Sequence, residues 1–205
     1  PYGALAAVFV RAGLAVETLL AGNRAGLARL VVVGACVGTT AGVAYLPMFL
    51  TADVGWRGEG AGLTNDGNLA PDLTMLAATS VPSMLPFLRV WGQEGSSVPV
   101  VYTAWFLVPL LPWLAWGPLR SRARELAGVG VVAVLFLTMA LGPSSLWLFR
   151  WPIRLVQYVF LCVAVLLAVA VSAGLRADAH RIRLTASWAL VAGGAWLAAS
   201  ARPDL

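Results

Sequence analysis

Residues 155–175 form a run of 21 without a single charged side chain, and nothing else in the chain restricts the fold so tightly. At 1.5 Å per residue, a helix of that length crosses the roughly 30 Å hydrocarbon core of a bilayer. Residues 30–50 repeat the feature, and residues 99–117, 126–141 and 184–201 are also uncharged. These runs are continuous in Leu, Val and Ala and do not alternate apolar with polar, so they read as helices and not as strands of a membrane barrel. Of the 205 residues, 60% are hydrophobic and 11% charged, with a mean hydropathy of +0.84. A soluble domain needs more polar surface than this. The expectation is an all-α, polytopic helical membrane protein. It has five spans plus a partial one at the start, in a single transmembrane domain over residues 1–205.

The partial span covers residues 1–22, where Arg11 and Glu17 interrupt an apolar run. A charge at the bilayer centre costs roughly 3 kcal/mol on insertion scales. The segment is therefore read as the end of an earlier span running into an interfacial helix, with a bundle-facing span as the alternative. The chain opens on Pro1-Tyr2 without an initiator methionine, and the expectation is a fragment whose upstream helices are missing. Within residues 30–50, Gly34, Gly38 and Gly42 recur every four positions. They share one helical face against which a neighbouring helix is expected to pack closely.

Residues 51–98 hold five of the nine acidic residues, Asp53, Glu59, Asp66, Asp72 and Glu94. The segment is rich in Gly and Pro and is longer than a simple connection requires. It is read as the outer loop. Within it, residues 73–88 carry no charge but include Pro82 and Pro86, which predicts an interfacial or re-entrant helix beginning near Pro71. Pro109 and Pro112 should kink the span over residues 99–117.

All 14 basic residues are arginine, and the net charge is +5. They sit in short loops between spans, where the positive-inside bias accounts for them, so nucleic acid is excluded as a partner. Arg120, Arg122 and Arg124 mark the inner side. Alternation then puts eight arginines inside (24, 29, 120, 122, 124, 176, 181 and 183) and five outside (57, 89, 150, 154 and 202). His180 is the sole histidine, and Cys36 and Cys162 lie within apolar runs, so no disulfide framework or metal site is expected. No Ser-His-Asp set, phosphate loop or metalloprotease motif occurs. No cofactor is expected, although a divalent cation in a longer chain is left open. The spans hold almost no ionisable residues or polar faces, which argues against a pump, channel or solute transporter.

Two long apolar runs meet at residues 142–154, GPSSLWLFRWPIR. If Pro152 opens the following helix, Arg150 and Arg154 project from its first turn, where backbone N–H groups also face outward, making an anion site. Trp147, Phe149 and Trp151 supply interfacial aromatics. Either these residues anchor two helices in the headgroup layer, or they recognise a lipid phosphate. The pair lies on the side where the charge bias disfavours arginine. A local partner is therefore expected: Asp66 or Asp72 of the outer loop, or the phosphate of a membrane lipid.

The sequence Phe149-Arg150-Trp151-Pro152-Ile153-Arg154 before a long apolar helix, preceded by a loop with Asn65, Asp66, Asn68, Pro71 and Asp72, resembles the later transmembrane half of polytopic GT-C-class glycosyltransferases, including actinobacterial and YfhO-like members. The resemblance covers residues 30–175. It implies transfer of a sugar from a polyprenyl-phosphate donor on the outer face of a bacterial cytoplasmic membrane, in cell-envelope glycan assembly. Arg150 and Arg154 would hold the donor phosphate. Such enzymes take their catalytic carboxylate from a first outer loop that this chain lacks, so the base lies upstream or is Asp66 or Asp72. A non-catalytic scaffold or lipid-flipping membrane protein is the alternative.

Overall fold

The computed structural model describes residues 2–51, 54, 63–77, 79, 87–90, 93–96, 104, 106–146, 149–176, 178 and 181–201. Most of them are helical. The first two helices, α1 (Tyr2–Leu20) and α2 (Arg24–Leu50), are separated by a turn that local chemistry explains. Gly22 takes φ 66°, and the Asn23 N–H reaches back to the Thr18 carbonyl at 2.9 Å. This is the closure that a left-handed glycine permits at a helix end. Asn23 then caps α2, its Oδ1 accepting the Gly26 N–H at 2.8 Å.

Five short elements follow: β1 (Leu63–Thr64), α3 (Leu73–Ala77), β2 (Phe87–Val90), β3 (Gln93–Ser96) and α4 (Leu107–Leu110). Beyond them come α5 (Trp116–Ser121), α6 (Ala127–Ala140), β4 (Ser145–Leu146), β5 (Phe149–Arg150), α7 (Ile153–Ser172) and α8 (Arg181–Ala201). Strands β2 and β3 form an antiparallel hairpin, and β1, β4 and β5 form a three-stranded antiparallel sheet in that order.

Four helices, α1, α2, α7 and α8, are long and apolar enough to cross a membrane. The expected pattern of five spans plus a partial one is thus corrected in three places. Residues 2–20 make one unbroken helix of 19 residues and not a partial span. The expected span over 99–117 breaks, within its described part, into α4, a 3-10 turn over Leu111–Trp113 and an extended Leu114. Pro109 and Pro112 cause the break by removing two backbone donors. The freed Pro109 carbonyl accepts the Ser187 hydroxyl of α8 at 2.8 Å, and Ser187 Oγ in turn accepts the Trp113 indole N–H at 2.8 Å. Finally, α6 has 14 residues, about 21 Å of helix, and falls short of a bilayer's width.

Despite its length, α6 is the centre of the core. Gly128, Val132, Phe136 and Ala140 are its buried residues, one every four positions, which makes a single ridge. On one side Phe136 meets the edge of Phe9 of α1, with centroids 4.9 Å apart. On the other it stacks on Tyr158 of α7 at 4.8 Å. Leu155, Val156, Val159 and Cys162 complete the cluster from α7, and Met75 of α3 joins it from the loop.

The close glycine contact is not the expected one. A Cβ on Gly13 would lie 2.6 Å from the Gly128 carbonyl oxygen, so α1 and α6 cross at bare backbone. On the Gly34, Gly38 and Gly42 face of α2, a Cβ would meet nothing within 4 Å except the Arg11 guanidinium, 3.6 Å from Gly34. That face is open, and α2 has no buried residue. Of the helix predicted near Pro71, residues 78 and 80–86 lie outside the described residues. α3 spans five residues, and residues 87–90 are strand.

Candidate arginine site at the end of the bundle

Helix α6 ends at Ala140 and α7 begins at Ile153, and residues 141–152 connect them at one end of the bundle. The polypeptide makes β4, reverses, makes β5 and enters α7 through Trp151 and Pro152. Trp151 has φ 64°, a conformation that L residues with large side chains rarely adopt. Its N–H donates to the Ser144 carbonyl at 2.9 Å, which holds the turn closed. The turn also brings the Trp151 ring under Arg154, whose guanidinium carbon lies 4.2 Å from the ring centroid.

Two segments far away in sequence complete the site. Tyr2, at the start of α1, donates its hydroxyl to the Arg150 carbonyl. Its ring meets Phe149 edge-on at 5.8 Å and sits 5.8 Å from the Arg154 guanidinium carbon. The outer-loop segment over residues 63–72 docks from the other side: β1 pairs with β4, and the Leu69 carbonyl accepts the Ile153 N–H at 3.0 Å.

Of the expected site residues, Arg150, Arg154, Phe149 and Trp151 come together, and Trp147 lies outside the described residues. Both arginines are exposed. Arg154 stands in the first turn of α7, as expected, whereas Arg150 belongs to β5. The expectation of outward-facing backbone donors is corrected. The Ile153 N–H is taken by Leu69, the Arg154 N–H by the Trp151 carbonyl at 3.1 Å, and the Leu155 N–H by the Pro152 carbonyl at 2.8 Å. Of the two features expected to hold an anion, the guanidinium groups are exposed and the helix-end donors are already engaged.

The two loop carboxylates have structural work. Asp66 Oδ1 accepts the Ser144 hydroxyl and, at 2.9 Å, the Asn68 N–H, while the Asp66 N–H donates to Ser144 Oγ at 3.1 Å. That reciprocal pair ties the loop to the hinge. Asp72 Oδ1 accepts the Met75 N–H at 2.6 Å, an N-cap on α3. Tyr2 and Ser144 were not anticipated from sequence. Their partners lie 148 and 78 positions away, and no local pattern signals such a meeting.

Two further features surround the arginines. A cavity of about 210 Å³ opens at the hinge, lined by Tyr2, Thr138, Met139, Leu146, Phe149, Arg150 and Leu155 among others. Ser145 is the cross-strand partner of Arg150, so their side chains share a face of the sheet. Its hydroxyl is buried and has no hydrogen-bond partner among the described residues, an arrangement that costs roughly 1–3 kcal/mol.

From Arg154 the exposed face of α7 continues through Gln157, Leu161, Ala164 and Ala168, spaced by three and four residues and so aligned along the helix. Ala164 and Ala168 line a larger groove of about 710 Å³, with Leu167, Val171, Leu107 and Phe106 among its other walls. No protein family, curated protein or solved structure matches the chain.

Proposed function

We propose that the chain is the membrane part of a glycosyltransferase that takes its sugar from a polyprenyl-phosphate donor at the outer face of a bacterial cytoplasmic membrane. One observation carries this reading. Arg154 stands at the head of a single exposed face of α7 that leads down into an uncharged groove of about 710 Å³, with Arg150 four residues before it on β5. The arrangement suits a ligand with an anionic head and a long apolar tail. Arg150 and Arg154 would take the phosphate through charge-assisted hydrogen bonds, with the Ser145 hydroxyl on the same side of the sheet. The prenyl chain would lie along Gln157, Leu161, Ala164 and Ala168.

The test uses the chain in lipid nanodiscs with a long-chain polyprenyl phosphate as probe, read by native mass spectrometry. The Arg150→Ala/Arg154→Ala double variant is expected to bind roughly tenfold or more weakly, the loss of one or two charge-assisted bonds. Ala168→Trp is expected to weaken the long-chain probe and spare a short-chain prenyl phosphate. In the intact transferase, either arginine variant should abolish donor use while expression is retained. Unchanged binding in the double variant defeats the proposal.

A second reading is supported by the carboxylates. Both candidates for a base, Asp66 and Asp72, are engaged in holding the loop, which suits a scaffold that binds or moves lipid without chemistry. Binding of a polyprenyl phosphate by the intact protein with no sugar transfer from the loaded donor would favour this second reading.

A further inference from the structure

We propose that the open face of α2 around Gly34, with Arg11 of α1 beside it, is the docking surface for another membrane-crossing helix that carries a carboxylate at mid-depth. The proposal rests on the chain lying in a bilayer and is independent of the phosphate site.

Arg11 lies halfway along α1, so about 14 Å of helix separates it from either end. It is half-buried and has no hydrogen bond or ion pair among the described residues. Glu17 does not answer it. Six residues place the two side chains roughly 120° apart around the helix and about 9 Å apart along it. The Glu17 carboxylate instead folds over Gly128 of α6, where it occupies the position a Cβ would need. Arg11 points the other way, its Nη1 3.6 Å from the point a Gly34 Cβ would fill.

The surface beside Arg11 is shaped for a helix. Gly38 and Gly42 continue the shelf with nothing within 4 Å of where a Cβ would stand, and Val31, three residues before Gly34 on the same face, is more than half exposed. Small residues in such a row let two helix backbones approach closely. Charge decides the occupant. A lipid tail offers nothing to a guanidinium at mid-depth, which in hydrocarbon is costly until it is paired. A second copy related by a two-fold axis along the membrane normal would set Arg11 against Arg11 at equal depth, a like-charge contact. A helix with Asp or Glu near its centre satisfies both the shelf and the charge.

The test reconstitutes the labelled chain in liposomes with single-span Leu/Ala peptides that carry Glu, Gln or Leu at the centre, and reads energy transfer. The Glu peptide is expected to associate roughly tenfold more tightly than the Leu peptide, with Gln between them. That preference should vanish in Arg11→Met, and also in Gly34→Ile, which keeps the guanidinium but fills the shelf, with helicity by circular dichroism unchanged in both. Equal association of the three peptides overturns the proposal, and so does a preference for Glu that survives either substitution. Self-association of the chain that depends on Gly34 and resists competition by the Glu peptide makes the face a contact between copies, which also overturns it.

Discussion

Trp151 carries two opposing effects at one position. Its left-handed backbone costs roughly 1–2 kcal/mol for an L residue, while its ring contributes roughly 0.5–1 kcal/mol by lying under Arg154. Trp151→Gly removes both, so its unfolding free energy should change by less than about 1 kcal/mol, whereas its affinity for a polyprenyl phosphate should fall several-fold. Trp151→Phe keeps a ring and should retain most of the binding. A Trp151→Gly variant that binds normally would show that the ring does not position Arg154. The glycines give a second contrast at this scale. Gly13→Val meets the Gly128 carbonyl and Val132 and should destabilise by roughly 1–3 kcal/mol, the cost of overpacking. Gly38→Val meets open space and should stay within about 0.5 kcal/mol apart from helix propensity. Equilibrium unfolding in mixed micelles measures both.

The connection from α7 to α8 shows how an element boundary is held. Gly174 takes φ 110° and passes its carbonyl to the Ala115 N–H at 3.1 Å, and the Arg176 N–H returns to the Trp113 carbonyl at 2.8 Å. The broken segment around Leu114 is thereby pinned to the end of α7. On the α8 side, Arg183 Nη1 contacts Asp178 Oδ1 at 2.6 Å. The hydrogen bond from Arg183, aided by the positive charge of Arg183 and Arg176, holds the Asp178 carboxyl below its ordinary range. A depressed carboxylate stabilises the fold above its unfolded value of about 3.9. That contribution is lost as pH falls through the lower, folded value. Asp178 is exposed, so the effect on overall stability should be small. A carbon-detected NMR titration should find the Asp178 midpoint below that of an unstructured aspartate, and Arg183→Ala should raise it toward the ordinary value. A midpoint that does not move with Arg183 refutes the pairing.

Across the whole molecule, α1 and α7 start at the hinge end and α6 finishes there. The turn between α1 and α2, the arginines of residues 120–124 and the start of α8 consequently gather at the opposite end. Among the described residues, Arg24, Arg29, Arg120, Arg122, Arg124, Arg176, Arg181 and Arg183 belong to that end. The positive-inside bias predicts that the hinge faces the outer side. In a background of Cys36→Ser and Cys162→Ala, Leu146→Cys should react with an impermeant thiol reagent from the outer face of sealed vesicles. Ser121→Cys should react only after the vesicles are opened. Labelling of both from one face would exclude this arrangement.

The helical class, a break between the first two helices, the hinge over residues 142–154 and the arginine pair within it were legible in the sequence, although the basic turn over residues 22–29 closes at Asn23 and its remainder is helix. Each follows from length, polarity or capping within a few residues, and such local terms need no knowledge of neighbours. The strand ends at residues 63–64, 145–146 and 149–150 carried no periodic signal, because two residues are too few to show one. Likewise, nothing in residues 126–141 distinguishes a 14-residue helix at the centre of the core from a full span. Tertiary structure alone decided that Gly13 and Gly128 meet while Gly34, Gly38 and Gly42 stay open. It also decided that Tyr2, Ser144 and Asp66 converge on the hinge, and that Leu69 takes the donor expected to bind an anion. Those outcomes depend on residues scores of positions apart, and their energies exist only once the helices have packed.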